Sequence, residues 1–338
     1  MLLSYQLITT TISIAINMFL IFLIITKSPL KMGNYRYLMI YTSIFQMYYA
    51  ILDAVADPIV FSYNFASIVL RLKENDGTWS ETLSMILVIM YCATFGMSMA
   101  VLGSQFVYRY SSTRKPAYNS TKGWKFIMLF LTPILYFTWW TLTCLIWYMP
   151  DKETDKYLWS VFLEKFDLPL GNVSYVTAMF YRIENNVEVF NGPVWVAVAN
   201  CLAMVISSIL CVTVLGTKCY LKIRKQLSVS SERSKLANKL QTQLFNALVI
   251  QTLIPTILMY IPILMFFLCP MLNINIDYSG GVLSDVVGLY PVIDPLPNLL
   301  IIQNYRNAIR DILKCRFVKE KVRKAKDSEG VPGANTVI

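Results

Sequence analysis

The amino-acid sequence predicts an all-α membrane protein, a seven-transmembrane helix bundle with the N-terminus outside, the C-terminus inside and a short amphipathic surface helix after helix seven. Three observations predict this fold. The 338 residues are 56% hydrophobic and only 15% charged, which is too apolar for a soluble protein of this length. The apolar residues form seven runs, each long enough to cross about 30 Å of hydrocarbon. The basic residues collect in alternate connections between those runs.

The seven apolar runs follow one another without a periodic repeat, so we expect a single domain over residues 1–338. The first run carries no charge before Lys27, has no basic residue ahead of it and ends without an A-x-A site, which favours a retained helix over a cleaved signal. The predicted spans are about 4–26, 37–61, 83–108, 126–148, 193–217, 243–269 and 280–303, with a tail at 304–338.

The orientation follows from the lysines and arginines of the connections. Of the 30 basic residues, 24 follow spans one, three, five and seven. The connection at 149–192 instead holds seven acidic residues against four basic ones. Since basic connections stay in the cytoplasm, the N-terminus is expected outside and the C-terminus inside.

The last span carries an acidic residue and a surface helix follows it. Asp294 lies in apolar sequence of membrane length, where an ionisable side chain faces other helices as a functional or packing device. Pro295 and Pro297 leave backbone carbonyls that neighbouring helices, side chains or water must satisfy. After Gln303, apolar residues recur at helical spacing with basic residues between them, which predicts a helix lying against membrane lipid.

The composition also excludes several classes of function. The chain has no histidine, which removes histidine-ligated zinc and di-iron chemistry, and its seven cysteines show no metal-type spacing. No nucleophile stands with a base in a recognisable pattern, so we expect no enzyme, no metal and no cofactor. The net charge of +10 does not indicate nucleic acid, because it lies in membrane connections rather than on a soluble fold.

Several stretches resemble one known family. They are FVYRY at 106–110, QLFNALVIQTLIP at 243–255, MYIP at 259–262 and YPVIDPL at 290–296, with similar residues in GNYRYLM at 33–39 and at 184–185. These stretches resemble the nematode Str class of serpentine chemoreceptors, which includes an odorant receptor for diacetyl. The resemblance implies a G-protein-coupled olfactory or chemosensory receptor without catalysis. Such a receptor binds a small odorant in the outer half of the bundle, activates a heterotrimeric G protein and lies in the plasma membrane, in the cilia of chemosensory neurons.

The resemblance also implies switch residues near the cytoplasmic side. Arg109, with Tyr108 before it, is expected to contact the G protein, although it also fits a basic membrane anchor. No acidic residue precedes Arg109, so an ionic latch cannot be carried over. Asp294 and Pro295 resemble an N/D-P-x-x-Y switch, but Asn298 stands in place of the tyrosine, and a structural kink is the alternative.

Two prolines interrupt the sixth span. Pro255 and Pro262 each remove an intrahelical hydrogen bond, so helix six is expected to hinge outward on activation, with plain packing as the alternative. The connection at 149–192 contains no cysteine, so Cys92 lacks an extracellular disulfide partner there.

Three acidic residues are candidates for a ligand or ion site. Asp53 and Asp57 are predicted four residues apart on one face of helix two, and Asp285 near the outer end of helix seven. Unpaired like charges at that spacing are unfavourable, which indicates either a protonated carboxyl or a wet cavity. A structural hydrogen-bond network is the alternative.

Two sites of modification are predicted. Asn172 begins a glycosylation sequon in a connection on the outer side. Cys315 follows the surface helix between basic residues, so it is either a palmitoylation site or an ordinary surface cysteine.

The absence of certain residue types from the predicted spans excludes some classes of ligand. Residues 280–303 contain no lysine for a retinal Schiff base, and 82–108 contain no acid for an amine ligand, which favours a small neutral or weakly polar ligand. The competing readings are a seven-helix ion channel and a transporter. A channel of the insect odorant-receptor type needs the opposite topology, and a transporter usually shows paired halves.

Overall fold

The computed structural model describes residues 2–29, 32–72, 80–114, 123–166, 173–184, 187–229, 232–274 and 282–314. In this part of the chain the helices are α1 (Leu2–Lys27), α2 (Tyr35–Ala56), α3 (Glu81–Arg114), α4 (Trp124–Trp147), α5 (Lys152–Phe166), α6 (Gly192–Val229), α7 (Glu232–Pro255), α8 (Ile261–Met271), α9 (Val282–Gly288), α10 (Tyr290–Ile293), α11 (Leu296–Ile301) and α12 (Gln303–Leu313). The strands are β1 (Ile59–Tyr63), β2 (Ala66–Leu72), β3 (Val173–Met179), β4 (Tyr181–Glu184) and β5 (Val187–Phe190).

The described residues contain six helices that are long and apolar enough to cross a membrane, and a bent pair raises the number to seven. The six are α1, α2, α3, α4, α6 and the continuous α7–α8 segment. The bent pair consists of Val282–Ile301, which contains α9 to α11, and α12, which leaves it at 92°. Helix α12 buries Tyr305 and Ala308 and exposes Arg306 and Arg310, so the predicted amphipathic surface helix is confirmed. The side of the membrane that each end faces stays a prediction.

The second span is shorter than the predicted 37–61, because α2 ends at Ala56. Asp57 adopts a left-handed backbone with φ of 42°, and its N–H closes the helix on the carbonyl of Asp53 at 3.0 Å. Pro58 disfavours helical geometry at the residue before it, which explains the end of the helix there. The prediction that Asp53 and Asp57 share a helix face is therefore wrong, since Asp57 lies past the helix end.

A three-stranded antiparallel sheet, in the order β1-β2-β3, covers the end of the bundle that is predicted to face outward, and it is called the outer sheet here. This sheet is absent from the predicted seven-helix fold. Along β2, alternate side chains face opposite sides. Ile68 and Leu70 pack against Leu158 and Phe162 of α5, while Val69 joins the core of the bundle. Because both faces are buried, the strands are almost continuously apolar, which in a sequence resembles part of a spanning helix.

The α7–α8 segment changes its geometry between the two prolines. A π-helical turn at Thr256–Tyr260 separates Pro255, the last residue of α7, from Pro262 near the start of α8. The N–H of Ile261 reaches back five residues to the carbonyl of Thr256. Both prolines lack a backbone donor, so this turn lets the helix continue with its ladder rearranged.

Candidate functional site

A cavity lies under the outer sheet, in the half of the bundle next to that sheet, with a volume of about 60 Å³. Strands β1, β2 and β3 form its roof, and α2, α3, α4, α8 and α9 form its walls. The lining side chains are mainly aromatic and aliphatic: Tyr49, Val60, Ser67, Val69, Tyr91, Cys92, Phe95, Trp140, Cys144, Tyr148, Val176, Thr177, Ala178, Ile263, Phe266, Phe267 and Val287. A water-sized group occupies roughly 10–15 Å³ by this measure, so the space suits a ligand of only a few heavy atoms.

The polar groups around the cavity are weak and few. The Ser67 hydroxyl already donates to the carbonyl of Phe266 at 2.8 Å, which ties the roof to α8. Cys92 and Cys144 contribute free thiols, and the Tyr148 hydroxyl oxygen and the Cys201 sulfur lie 3.9 Å apart, within hydrogen-bond distance. No aspartate, glutamate, lysine or arginine is among the residues that line this cavity in the part of the chain that the structure describes. A charged ligand would lose its hydration there without gaining a partner.

A polar junction around Asp294 lies closer to the middle of the bundle. The Asp294 Oδ2 accepts hydrogen bonds from Gln46 Nε2 of α2 at 2.9 Å and from Gln251 Nε2 of α7 at 3.2 Å. The same Gln251 amide donates to the Asp294 backbone carbonyl at 2.9 Å. All three residues are buried. The junction therefore joins α2, α7 and the α10–α11 segment through one carboxyl group.

The proline that follows Asp294 is satisfied by helix one. The Pro291 carbonyl would accept from the N–H of residue 295 in a regular helix, but Pro295 has none. The Ser13 hydroxyl donates to this carbonyl at 3.0 Å, and the Asn17 amide donates at 3.2 Å. The expectation that neighbouring helices satisfy the freed carbonyl is confirmed for Pro291.

Arg109 lies near the end of α3 that is farther from the cavity, and it is only 2% exposed. Its guanidinium carbon is 3.5 Å from the centre of the Tyr35 ring, and its Nη1 donates to Gln241 Oε1 of α7 at 3.0 Å. The Tyr35 ring also stacks on Tyr108, with centroids 5.5 Å apart. Within the described residues, the Nε and Nη2 atoms of Arg109 have no hydrogen-bond partner. The Tyr35 ring and the Gln241 amide thus hold the Arg109 guanidinium, and no acidic residue precedes Arg109 in the sequence to do so.

Comparison with known proteins decides the family. The family model described as serpentine type 7TM GPCR chemoreceptor Str matches residues 3–310 of the chain. The chain belongs to the Str family of serpentine chemoreceptors. The predicted resemblance is therefore confirmed, and with it a multi-pass membrane protein of a G-protein-coupled receptor family.

Relatives agree with this assignment, and a solved structure shares the fold. The Str chain is 34% identical to the G-protein coupled receptor str-217 of Caenorhabditis elegans, over 88% of this chain and 86% of that protein. It is 30% identical to the serpentine receptor class r-10 of the same organism, over 90% and 88% of the two chains. The crystal structure of squid rhodopsin matches with a TM-score of 0.61 at 13% identity, over 98% of this chain and 91% of that chain. This last likeness concerns the fold alone.

The three candidate acids of the Str chain form a cluster outside the cavity. Asp53 is buried and interacts electrostatically with Asp57 and Asp285, which are partly exposed. The absence of a side chain at Gly288 makes room for Asp53, because a Cβ there would stand 2.9 Å from Asp53 Oδ2. None of the three acids lines the cavity. Their part in ligand binding stays a prediction.

The remaining predicted sites of the Str chain are placed as follows. Pro255 and Pro262 flank the π-helical turn, between the cavity and the group formed by Arg109, Tyr35 and Gln241, which is called the Arg109 cluster. Asn172 and Cys315 lie outside the described residues. Sequence reasoning missed Tyr35 and Gln241, the two partners of Arg109. Nothing local marks them, because tyrosine and glutamine are ordinary residues near the ends of spanning helices.

Proposed function

We propose that the chain is a chemosensory receptor that binds a small odorant in the cavity under the outer sheet and activates a heterotrimeric G protein at the opposite end of the bundle. One observation carries this proposal. The α7–α8 segment contributes Ile263, Phe266 and Phe267 to the cavity wall and Gln241 to the Arg109 cluster. A single helix therefore touches both sites, with the π-helical turn between them.

The ligand is a small neutral or weakly polar molecule. The cavity volume of about 60 Å³ and the apolar lining favour a compact volatile compound with one weak hydrogen-bond acceptor. The phenols of Tyr49 and Tyr91 and the thiols of Cys92 and Cys144 are the groups available to that acceptor. No cofactor and no catalysis form part of this function.

The switch is a competition between two arrangements of the helices. The contacts of Arg109 with Tyr35 and Gln241 favour the arrangement seen here. A cation–π contact contributes about 0.5–2 kcal/mol and a hydrogen bond to a charged group about 1.5–3 kcal/mol. A ligand moves the equilibrium only by its differential affinity for the two arrangements. A ligand that binds the open form about 100-fold more tightly favours that form by about 2.7 kcal/mol, which is comparable to the energy of these two contacts.

Orientation and location complete the proposal. The Arg109 end and the basic connection at 218–239 face the cytoplasm, by the distribution of lysine and arginine, and contact the G protein. The surface helix α12 lies on the membrane lipid at that face. We place the receptor in the plasma membrane, in the ciliary membrane of chemosensory neurons.

The test is nucleotide exchange on a purified heterotrimeric G protein by the full chain in lipid nanodiscs, over a panel of small ketones, alcohols and esters. We expect one or more compounds to raise exchange, and Ala178→Met, which fills the cavity, to shift the effective concentration at least about tenfold. Exposed Ile183→Met on β4 is the matched control. An unchanged dose response in Ala178→Met contradicts the cavity assignment. Ion current through the chain without any exchange points to a channel instead.

A further inference from the structure

An apolar groove of about 600 Å³ opens on the outside of the bundle between α6 and α7, toward the end that carries Arg109. Its walls are Phe106, Val212, Thr213, Gly216, Thr217, Tyr220, Phe245, Asn246, Val249, Ile250, Thr252 and Leu253. The size falls within the range of roughly 300–1,000 Å³ that is usual for small-molecule sites. It faces the membrane rather than the interior and is separate from the ligand cavity, whose lining residues it does not share.

The floor of the groove depends on a glycine. A Cβ at Gly216 would stand 3.1 Å from Phe106 Cε1, so the missing side chain lets the Phe106 ring of α3 come up between the two helices. At the end nearest the basic connection, Tyr220 and Phe245 approach with ring centroids 6.3 Å apart. The groove is thus a shaped recess with an aromatic floor and one aromatic end.

Asn246 places a polar amide in this apolar recess. It is exposed, and no hydrogen bond joins its amide to the part of the chain that the structure describes. The hydroxyls of Thr213 and Thr252 are already used within their own helices, on the carbonyls of Ile209 and Leu248. An amide that faces hydrocarbon without a partner is costly, which points to an occupant with a hydrogen-bond acceptor.

Two cations continue the walls of the groove toward the predicted cytoplasmic side. Arg224 follows Tyr220 by four residues on α6, and Lys239 precedes Asn246 by seven residues on α7. These spacings put each cation on the groove face of its helix. Both side chains are exposed, and neither has a carboxylate partner among the described residues. The apolar walls, the amide and the two cations follow one another in the same order as the acyl chain, the ester carbonyl and the head group of a phospholipid.

We infer that this groove binds one anionic phospholipid of the membrane. An acyl chain lies along Val249, Ile250 and Leu253, an ester carbonyl accepts from the Asn246 amide, and the head group sits between Arg224 and Lys239. Anionic lipids are concentrated in the cytoplasmic leaflet, where each nearby basic side chain strengthens the attraction roughly fivefold. Since α7 also holds Arg109 through Gln241, the lipid contacts a helix of the proposed switch, although its binding does not depend on receptor function.

The experiment uses the full chain in nanodiscs that contain phosphatidylcholine with a trace of photoactivatable phosphatidylserine or photoactivatable phosphatidylcholine. We expect the phosphatidylserine probe to label peptides from Val212–Tyr220 and Phe245–Leu253, and the phosphatidylcholine probe to label them at least about tenfold less. The variant Arg224→Gln/Lys239→Gln should lower the phosphatidylserine labelling about 25-fold, as expected from the loss of two cations. Lys125→Gln, an exposed cation at the start of α4, is the control and should leave it unchanged.

A second pair of variants tests the groove itself. Val249→Trp fills it, whereas Leu210→Trp places the same ring on an exposed site of α6 outside the groove. Only Val249→Trp should abolish the labelling, with thermal unfolding of both variants measured to confirm that they fold. Equal labelling by the two lipid probes, or labelling that survives Val249→Trp, overturns the inference. Cross-links between two copies of the chain through these peptides overturn it as well, in favour of a dimer contact. Competition by soluble glycerophosphoserine would show a head-group site without the acyl chain, against the lipid assignment.

Discussion

The guanidinium of Arg109 lies over the ring of Tyr35, with its carbon 3.5 Å from the ring centre. This contact joins α3 to α2, and the hydrogen bond to Gln241 joins α3 to α7. In water a cation loses little by leaving an aromatic face, but a buried arginine that leaves Tyr35 must find another partner for its charge. In the function proposed above, this contact is present in the resting arrangement and is released in the active one.

The first prediction concerns this pair. We expect Tyr35→Leu to raise ligand-independent nucleotide exchange by about 2- to 30-fold, which corresponds to the loss of about 0.5–2 kcal/mol of cation–π stabilisation of the resting arrangement. Tyr35→Phe keeps the aromatic face and should keep the low basal rate. Tyr37→Leu, an exposed tyrosine in the same turn of α2, is the control. A basal rate in Tyr35→Leu equal to that of the control would show that Tyr35 does not restrain Arg109.

The extent to which the sequence predicted this structure differs from feature to feature. The spanning helices and the surface helix follow from apolar length and helical spacing, which are local properties. The outer sheet does not follow from such local properties, because Ile59–Leu72 is apolar on both faces and resembles the continuation of a spanning helix. Asp57-Pro58 and Asn64, whose φ is 46°, were the available signals of a helix end and a tight turn.

The candidate site was predictable only in part, for a similar reason. Asp294 and Pro295 stood out because an acid and a proline are unusual in an apolar span. Their partners Gln46 and Gln251 are uncharged, and Ser13 meets Pro291 across 278 positions of sequence. Tertiary pairing of ordinary polar residues leaves no mark on either local segment.

The second prediction tests the Asp294 junction. Asp294→Ala should leave the amides of Gln46 and Gln251 without their shared acceptor and lower the stability by about 1–3 kcal/mol. Removing all three polar groups, in Asp294→Leu with Gln46→Leu and Gln251→Leu, should cost less than the sum of the single changes, because no donor then stays unpaired. Thermal unfolding in one detergent measures both. Strict additivity would contradict a hydrogen-bonded unit.

The third prediction tests how helix one satisfies the carbonyl of Pro291. The double change Ser13→Ala/Asn17→Leu should orphan that carbonyl and cost about 1–3 kcal/mol of stability. In a Pro295→Ala background, residue 295 regains an N–H that can bond to Pro291, so the same double change should cost less than half as much. The quantity to measure is the coupling energy of this cycle. A coupling near zero would mean that Ser13 and Asn17 act elsewhere.

The fourth prediction uses two glycines of α3 that differ in their surroundings. A Cβ at Gly96 would stand 2.7 Å from Cε3 of Trp140, a residue that lines the cavity, whereas the nearest side-chain atom to a Cβ at Gly103 is 3.9 Å away. Gly96→Ala must therefore displace the indole, at a cost of about 1–3 kcal/mol, and alter the cavity wall. Gly103→Ala fits and should be neutral or stabilising by up to about 1 kcal/mol, because alanine favours the helix.

The pair also separates stability from ligand recognition. Gly96→Ala should reduce the response to any ligand that acts through the cavity, even at temperatures where the variant is fully folded, while Gly103→Ala should respond as the wild type does. Thermal unfolding gives the first quantity and ligand-stimulated nucleotide exchange gives the second. A folded Gly96→Ala variant with an unaltered dose response would place the ligand away from Trp140, since a shifted indole changes the shape of every site that it lines.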